Sequence, residues 1–549
     1  MCGIAGMIGV NWSPQKFEIL FDAIRHRGPD ASGVYASKGL MLGMNRLQLR
    51  GAEADLPLCD DDVIAAFNGQ IYGLYNSPDI YHSLAEGIGN ELSAVRSQNS
   101  EIDGMYACSI ITLEESNLFL TTDRQFIKPL FYRKEGEGLA FCSEFAPLLQ
   151  VSSSNKIHNE ALVELFAYGW YLSDCSYISQ ISTLCKNDLS VQGYTIRTQP
   201  KLQASPQFVV SDQVTELRLA IRESTLRCMQ GTGPFGLAIS GGLDSSILAW
   251  ELNAAGVEGL TTLSVCMDDG EGINSLKELG LPPGGAWESW QHYSITIKDD
   301  YDFLSAFVNS TMQFGQPTTM SSLPLYWRLA ELAAEAGVRV LLTGEGVDEF
   351  FCGYESYAKI KGLHKSLDYY RHPQRERLVR TLFGTEAFQD VKQRFNEQYI
   401  NYTDFRQIER ELRLVRLLIR TDVCLMSHSI EGRVPFLHNR IPDIALTIPS
   451  EVLTEGLGKT VLRQAYSNDL PQITSRPKMR FKSSDQLLKR NLANPIISSR
   501  ILDSVASVFG FDEIQKCLNL LGTDSGFDHD ICCLLMSLTF LIEQGYIMR

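Results

Sequence analysis

The stretch Ile239-Ser240-Gly241-Gly242-Leu243-Asp244-Ser245-Ser246 decides the reading of this chain. It lies between an apolar run, Phe235 to Ile239, and a segment in which Ile247, Leu248, Leu252 and Ala255 recur at helical spacing, so it joins a buried strand to a helix. A turn so placed aims free backbone N–H groups at an anion. Its two glycines remove the Cβ atoms that would hold a phosphate off, its serines add hydroxyl donors, and the helix dipole favours negative charge at that end. Asp244 runs against this, because a carboxylate repels phosphate. A magnesium ion between them resolves the conflict, which makes Asp244 a metal ligand rather than a direct phosphate ligand. An ordinary Ser/Gly-rich turn accounts for a lone SGG but poorly for the whole octet.

The octet resembles the PP-loop of ATP pyrophosphatases, enzymes that cleave ATP to AMP and pyrophosphate and so adenylate a substrate. The resemblance implies ATP as co-substrate, held through Ser240, Gly241, Gly242, Asp244, Ser245 and Ser246. A rival nucleotide signal, Gly456-Leu457-Gly458-Lys459-Thr460, fails because the Walker pattern needs a glycine where Leu453 stands.

Around the octet, strand-like runs at Gly236–Ile239, Thr261–Met267, Tyr293–Ile297 and Val338–Thr343 alternate with helical stretches, of which Leu325 to Ala336 is the clearest. The alternation predicts a doubly wound parallel α/β sheet with ligands at the carboxyl ends of its strands. One such end carries Leu342-Thr343-Gly344-Glu345-Gly346-Val347-Asp348-Glu349. Three carboxylates within five residues are costly unless a cation or proton is shared among them, and the bland alternative is a solvated acidic loop.

The chain has 549 residues, 44% hydrophobic and 21% charged, with a formal net charge of -16. Length predicts several domains, and the acidic balance argues against a nucleic-acid or membrane-surface binder. No apolar run is long enough to span a bilayer and the start lacks a basic signal region, so a cytoplasmic location is expected. Thirteen cysteines without CxxC pairs indicate neither a zinc site nor a disulfide scaffold.

At the other end of the chain, Cys2 follows a removable Met1. The freed α-amine, with a pKa of about 7.7–8.0, is partly unprotonated at neutral pH and can serve as base for its own thiol. The segments Cys2-Gly3-Ile4-Ala5-Gly6, Arg25 to Gly33, Arg46, Phe67-Asn68-Gly69-Gln70-Ile71-Tyr72, Ile102 to Tyr106, Asp123 to Leu130 and Ser143-Glu144 together resemble the glutaminase domain of class II glutamine amidotransferases, specifically the asparagine synthetase family. That implies an α+β N-terminal-nucleophile fold, an αββα sandwich, over residues 2–205, followed by a PP-loop synthetase domain over 206–549.

By the resemblance, Cys2 is the nucleophile, Asn68 and the Gly69 N–H form the oxyanion hole, and Arg46 grips the glutamine α-carboxylate, where a bidentate guanidinium fits best. His26 is read as structural, the amine already filling the role of base. Gln70 stands where the family has a glutamate that meets the glutamine ammonium, Gly73 replaces an asparagine, Met44 a histidine, and the second acidic contact falls near Asn90. Fewer carboxylates there predict weakened glutamine binding, or a preference for free ammonia.

In the second half, Gly344 to Tyr354 resembles the family's SGxGxDExFxGY segment. The match places Asp348 beside Asp244 on magnesium, Gly344 at the pyrophosphate, Glu345 as manager of the incoming amine's proton, and Glu349 as structural. Met426 to Leu437 resembles SxExRxPF, with His438 in place of an aspartate. Lys459, Leu462 and Arg463 match KxxLR, and Arg476-Pro477-Lys478 matches RPK, whose lysine meets the phosphates. Asp268 to Gln291 departs from the family, and Gln316 replaces an acidic residue before Pro317. Both are expected near the acyl substrate or adenine.

The implied reaction is ATP-dependent amide formation from glutamine and a carboxylate, by default aspartate. A non-aspartate carboxylate of a natural-product or sugar-acid pathway, and a catalytically decayed binding module, stay open, as does a homodimer. The partners expected are small molecules: glutamine, ATP and a carboxylic acid.

Overall fold

The computed structural model describes residues 2–9, 12–37, 39–49, 56–59, 63–74, 102–112, 117–152, 154–192, 195–200, 212–267, 276–360, 370, 372–478, 483–523 and 528–547. Asn90, and the expected domain boundary at 205/206, lie outside them.

The amino-terminal half is two stacked antiparallel sheets. One runs in the order β10 (Ile181–Thr183), β8 (Phe131–Glu135), β9 (Gly138–Cys142), β1 (Cys2–Ile8), β3 (Leu40–Arg46), β2 (Ala31–Ser37). The other runs β12 (Thr195–Pro200), β11 (Asn187–Gln192), β7 (Asn117–Thr122), β6 (Ile102–Thr112), β5 (Val63–Leu74), β4 (Leu58–Cys59). Because side chains alternate along a strand, Cys2 and Ile4 face the inter-sheet core with Leu42, Ala66, Leu120 and Phe141, whereas Ala5 and Met7 pack outward with Phe17, Leu20 and Phe21. Those three belong to the helix Pro14–Asp22, started by Ser13, which caps Lys16 N–H. Helix, sheet and sheet therefore stack as three of the four layers of the expected αββα sandwich. The second sheet ends in the β11–β12 hairpin, an edge pair whose polar residues are exposed on one side.

The carboxy-terminal half is built on a fully parallel sheet in the order β15 (Gln291–Ile297), β14 (Thr261–Met267), β13 (Phe235–Ala238), β16 (Val340–Leu342), β17 (Glu431–Arg433). From β13 the chain builds outward to β15, then returns to add β16 and β17 on the other side. The order reverses between β13 and β16, and ligand crevices of doubly wound sheets open at that switch point. Helices Leu243–Ala254, Asp300–Phe314, Leu323–Glu335 and Val415–Met426 connect and cover the sheet. Three more, Pro495–Phe509, Phe511–Leu521 and His529–Glu543, pack into one large core with Asp300–Phe314 and the first half's outer helices. All thirteen cysteines are free. Among the described residues no helix is long and apolar enough to cross a membrane.

Candidate active sites

The first site is assembled from three strands. Cys2 on β1 lies opposite Arg46 on β3, and β5 brings Asn68, Gly69 and Gln70 across from the second sheet. Asn68 Oδ1 accepts the Cys2 N–H at 3.1 Å, which turns Nδ2 the other way, buried and with no partner. An orphaned donor beside a nucleophile is the geometry an oxyanion hole needs. Gly69 sits at φ +130°, where a Cβ would stand 1.9 Å from the Met105 carbonyl oxygen, so no other residue fits. Burial pushes the Cys2 thiol up, the chain's amino-terminal charge and Arg46 pull it down, and Glu431 raises it again. The net rise means a base is needed to make the thiolate. His26, Glu144 and Asp123 lie behind. Asp123 accepts the N–H groups of Gln125, Ile127 and Lys128 at 2.9–3.0 Å, winding the segment that delivers Lys128.

The second site sits at the switch point. The turn after β13 leads into Leu243–Ala254 with Gly242 at its N-cap and no side chain capping the first turn, which leaves helix N–H groups for an anion. Ser245 Oγ braces the turn by accepting Ser240 N–H at 3.2 Å. The turn after β16 approaches so closely that a Cβ on Gly344 would lie 3.0 Å from the Asp244 Cβ. Asp244 and Asp348 are thereby brought together, with the Lys459 ammonium between them, 2.6 Å from both Asp244 oxygens and 2.6 Å from Asp348 Oδ1. Lys478 pairs with the other Asp348 oxygen and lies 3.9 Å over the Tyr354 ring. Burial disfavours the Asp348 anion, but the two lysines outweigh it and hold its carboxyl well below the usual range. Glu349, buried next to Asp348 and accepting the Tyr354 hydroxyl at 2.7 Å, is pushed up to about 7 by burial first and Asp348 second.

Glu345 takes the opposite wall, where Oε1 accepts from the Tyr326 hydroxyl and from Arg420 Nη2 at 2.5 Å. Arg420 stacks 3.7 Å over Tyr326 and donates to Ser322 Oγ at 2.6 Å. Glu345 and Asp348, three residues apart in the segment after β16, thus set an acid–arginine pair beside the carboxylate–lysine cluster. Two carboxylates already bridged by an ammonium fit a magnesium ion, which takes one or two carboxylates and completes its shell with water and substrate phosphate. Among the described residues no cluster of three or more metal-ligating side chains exists.

Sequence reasoning placed Lys459 only in the KxxLR match, with no role at the phosphates, and missed Arg420. It also left the two phosphate motifs unconnected, although Arg463 of KxxLR donates to the carbonyls of Thr474 and Arg476 at 2.6 and 2.8 Å and so tethers the segment that carries Lys478. Gln316 and His438 are both buried, in different surroundings. Gln316 is fully buried beside Thr318, whose N–H reaches Ser537. His438 packs edge-on against Tyr72 at 4.8 Å and 3.3 Å from Asp103, in the joint between the halves.

That joint is ionic and dry. Arg27 Nη1 meets Glu144 at 2.9 Å and Nη2 meets Asp422 at 2.8 Å, while Lys128 lies 3.3 Å from Asp422 and 3.2 Å from the Gly432 carbonyl. Arg27 Nε also reaches the Cys2 carbonyl at 3.4 Å. Asp422 and Arg420 are two residues apart on Val415–Met426, about 200° round a helix. One helix therefore touches the nucleophile's surroundings with one flank and Glu345 with the other.

A two-sheet thiol sandwich docked on a doubly wound PP-loop sheet is the architecture of a glutamine-dependent carbon–nitrogen ligase. Residues 216–537 match the asparagine synthase family and residues 1–199 the glutamine amidotransferase domain. The chain belongs to the asparagine synthase family. It is 23% identical to asparagine synthetase [glutamine-hydrolyzing] 1 of Bacillus subtilis (strain 168), over 93% of this chain and 91% of that one. It is 24% identical to asparagine synthetase B [glutamine-hydrolyzing] of Escherichia coli (strain K12), over 88% and 82%. A solved glutamine phosphoribosylpyrophosphate amidotransferase from B. subtilis aligns at 12% identity and a TM-score of 0.27, over 63% of this chain and 82% of that chain.

Proposed function

We propose that the chain hydrolyses glutamine at Cys2 and passes the ammonia through the joint to a carboxylate activated as acyl-AMP, by default aspartate, giving asparagine, AMP and pyrophosphate. The observation that carries this is the Val415–Met426 helix, whose Asp422 and Arg420 face the two sites from opposite flanks. We assign the glutaminase to residues 2–205 and the synthetase to 206–549, a division supported by the end of β12 at Pro200 and the start of a helix at Gln213.

In the first half-reaction, the Cys2 amine takes the thiol proton and the thiolate attacks the substrate amide carbon. Asn68 Nδ2 and the Gly69 N–H donate to the oxygen as its charge develops. The proton returns to the leaving nitrogen, ammonia departs, and water releases glutamate from the thioester. In the second, a carboxylate oxygen attacks the α-phosphorus of ATP and pyrophosphate leaves toward Lys478 and Lys459. Magnesium, held by Asp244 and Asp348, would neutralise charge on the phosphates when bound. Ammonia then attacks the acyl carbon, AMP leaves, and Glu345, oriented by Tyr326 and Arg420, accepts the surplus proton. Passage inside the protein keeps the nitrogen neutral, whereas ammonia in neutral water is mostly protonated and not nucleophilic.

Pyrophosphate release, assayed against a panel of carboxylates with glutamine or ammonium, tests the proposal. Aspartate-dependent turnover supports the default, turnover with another acid reassigns the acceptor, and turnover with none removes the synthetase reading. Cys2→Ala should abolish glutamine use and spare ammonium use; loss of both contradicts the two-site scheme.

A further inference from the structure

Gln70 follows Asn68 by two residues on β5, so both side chains leave the same face of the strand, toward the nucleophile. The Gln70 amide is buried and half satisfied. Nε2 donates to Glu431 Oε1 at 3.1 Å, and Oε1 has no donor. Glu431 comes from the other half of the chain, on β17, and is fully buried. Arg433 Nε clamps the same Oε1 at 2.5 Å, and the Arg433 guanidinium is itself anchored on the Cys228 and Gln230 carbonyls at 2.6 Å. Burial opposes the charge on Glu431, yet Arg433, the amino-terminal charge and Lys128 hold its carboxyl down to about 2. Its field is felt at the Cys2 thiol, an independent sign that Glu431 faces the nucleophile's chamber.

A buried carbonyl oxygen without a donor is costly unless a ligand supplies one. An amino-acid amide bound with its reacting carbon at Cys2 and its carboxylate at Arg46 brings an ammonium group, with three N–H donors and a positive charge. Position 70 is where the resemblance puts the contact to the substrate ammonium, and the unpartnered Gln70 Oε1 suits it; we propose that Glu431, contributed by the synthetase half, is the positioning residue that orients and polarises that amide. The inference rests on the glutaminase reading of Cys2. It means that the glutamine pocket is complete only when the two halves are docked, and that its acid acts from one residue further back, across the joint. Placing a carboxylate directly at position 70 would set it against Glu431 in a buried site, where two like charges do not both persist.

The test is steady-state glutamate release by the full chain against glutamine concentration, for wild type, E431Q, Q70E, Q70M and the double variant Q70E/E431Q. E431Q and Q70E should each raise KM about tenfold, 1.4 kcal/mol, with kcat within about threefold of wild type. Q70M, which leaves the Glu431–Arg433 pair intact, should raise KM alike and decides the matter if E431Q fails to fold. In the double variant the carboxylate and the amide have exchanged places, and KM should return to within about threefold of wild type. A merely structural Glu431 gives no such rescue. The inference is overturned if E431Q or Q70M leaves KM unchanged, or if the double variant is no better than its parents. A wild-type chain that releases no glutamate overturns instead the glutaminase reading on which it rests.

Discussion

Removing the Lys459 ammonium is the sharpest perturbation of the synthetase site. The ion is 2.6 Å from three carboxylate oxygens, and the side chain is 6% exposed. At 2.6 Å, each charge pair is worth about 6 kcal/mol at an effective dielectric constant of about 20. Desolvating the ammonium cancels much of this, and breaking a buried pair costs about 3–5 kcal/mol because the partner charges stay behind. Asp244 and Asp348 keep 21% and 19% of their side-chain surface in solvent, which favours the lower end, about 3 kcal/mol. K459M, which keeps the stem and deletes the charge, should lower the unfolding midpoint of the synthetase half by roughly 6 °C at neutral pH. The sign with pH is fixed. Burial and the neighbouring Asp348 already raise the Asp244 carboxyl against the pull of Lys459; without the lysine it rises further, and the variant's native state holds more proton than the wild type's. The deficit should therefore shrink as pH falls from about 8 to 5.5, and magnesium at neutral pH should narrow it too. Thermal unfolding of both proteins across that range is the assay. A K459M midpoint equal to wild type, or a deficit that stays constant with pH and magnesium, would refute the idea that Lys459 is the cation separating two obligate carboxylates.

Asn68→Ala, which deletes the buried unpartnered Nδ2 donor, should reduce kcat for glutamate release about 10²–10³-fold with a smaller change in KM; a loss below about fivefold removes Asn68 from the oxyanion hole. Asp422→Asn strands Arg27 and Lys128 in the dry joint and should cost about 3–5 kcal/mol in denaturant unfolding, while a change within about 0.5 kcal/mol would show the lattice to be neutral. Glu349, with its carboxyl at about 7, binds a proton in the native state that an unfolded glutamate releases near pH 4.3. Its contribution is thus fully present below about pH 4.3 and lost as pH rises through 7, by at most about 4 kcal/mol. Against wild type, Glu349→Gln should therefore gain relative stability between pH 5 and 8, and parallel unfolding profiles would contradict the assignment.

How far the sequence could be read depended on the range of the interactions involved. The octet at Ile239 to Ser246 was legible because its glycines, serines and flanking periodicities are local, and β14 occupies Thr261–Met267 as the apolar run suggests. β17 was not. Glu-Gly-Arg carries no strand pattern, and the segment becomes a strand only because it pairs in parallel with β16, some ninety positions earlier in the chain. Lys459 and Glu431 escaped for the same reason: their partners are 215 and 361 residues away, and nothing in a local window ties an unremarkable KxxLR lysine to a PP-loop aspartate.

One long-range feature was nonetheless latent in the composition of a single helix. Arg420 and Asp422 are opposite charges two positions apart in a largely apolar segment, Val415–Met426. At that spacing they cannot pair with each other, since i and i+2 project to opposite sides. Both are buried, at 4% and 2% exposure, so each needs a separate partner of opposite sign on a separate flank. The structure supplies Glu345 on one side and Arg27 with Lys128 on the other. Two buried, mutually unreachable charges on one helix thus imply two polar compartments that the helix divides. A shift of that helix disturbs both compartments at once, which couples the surroundings of the thiol to the proton acceptor at the acyl end without any loop having to move.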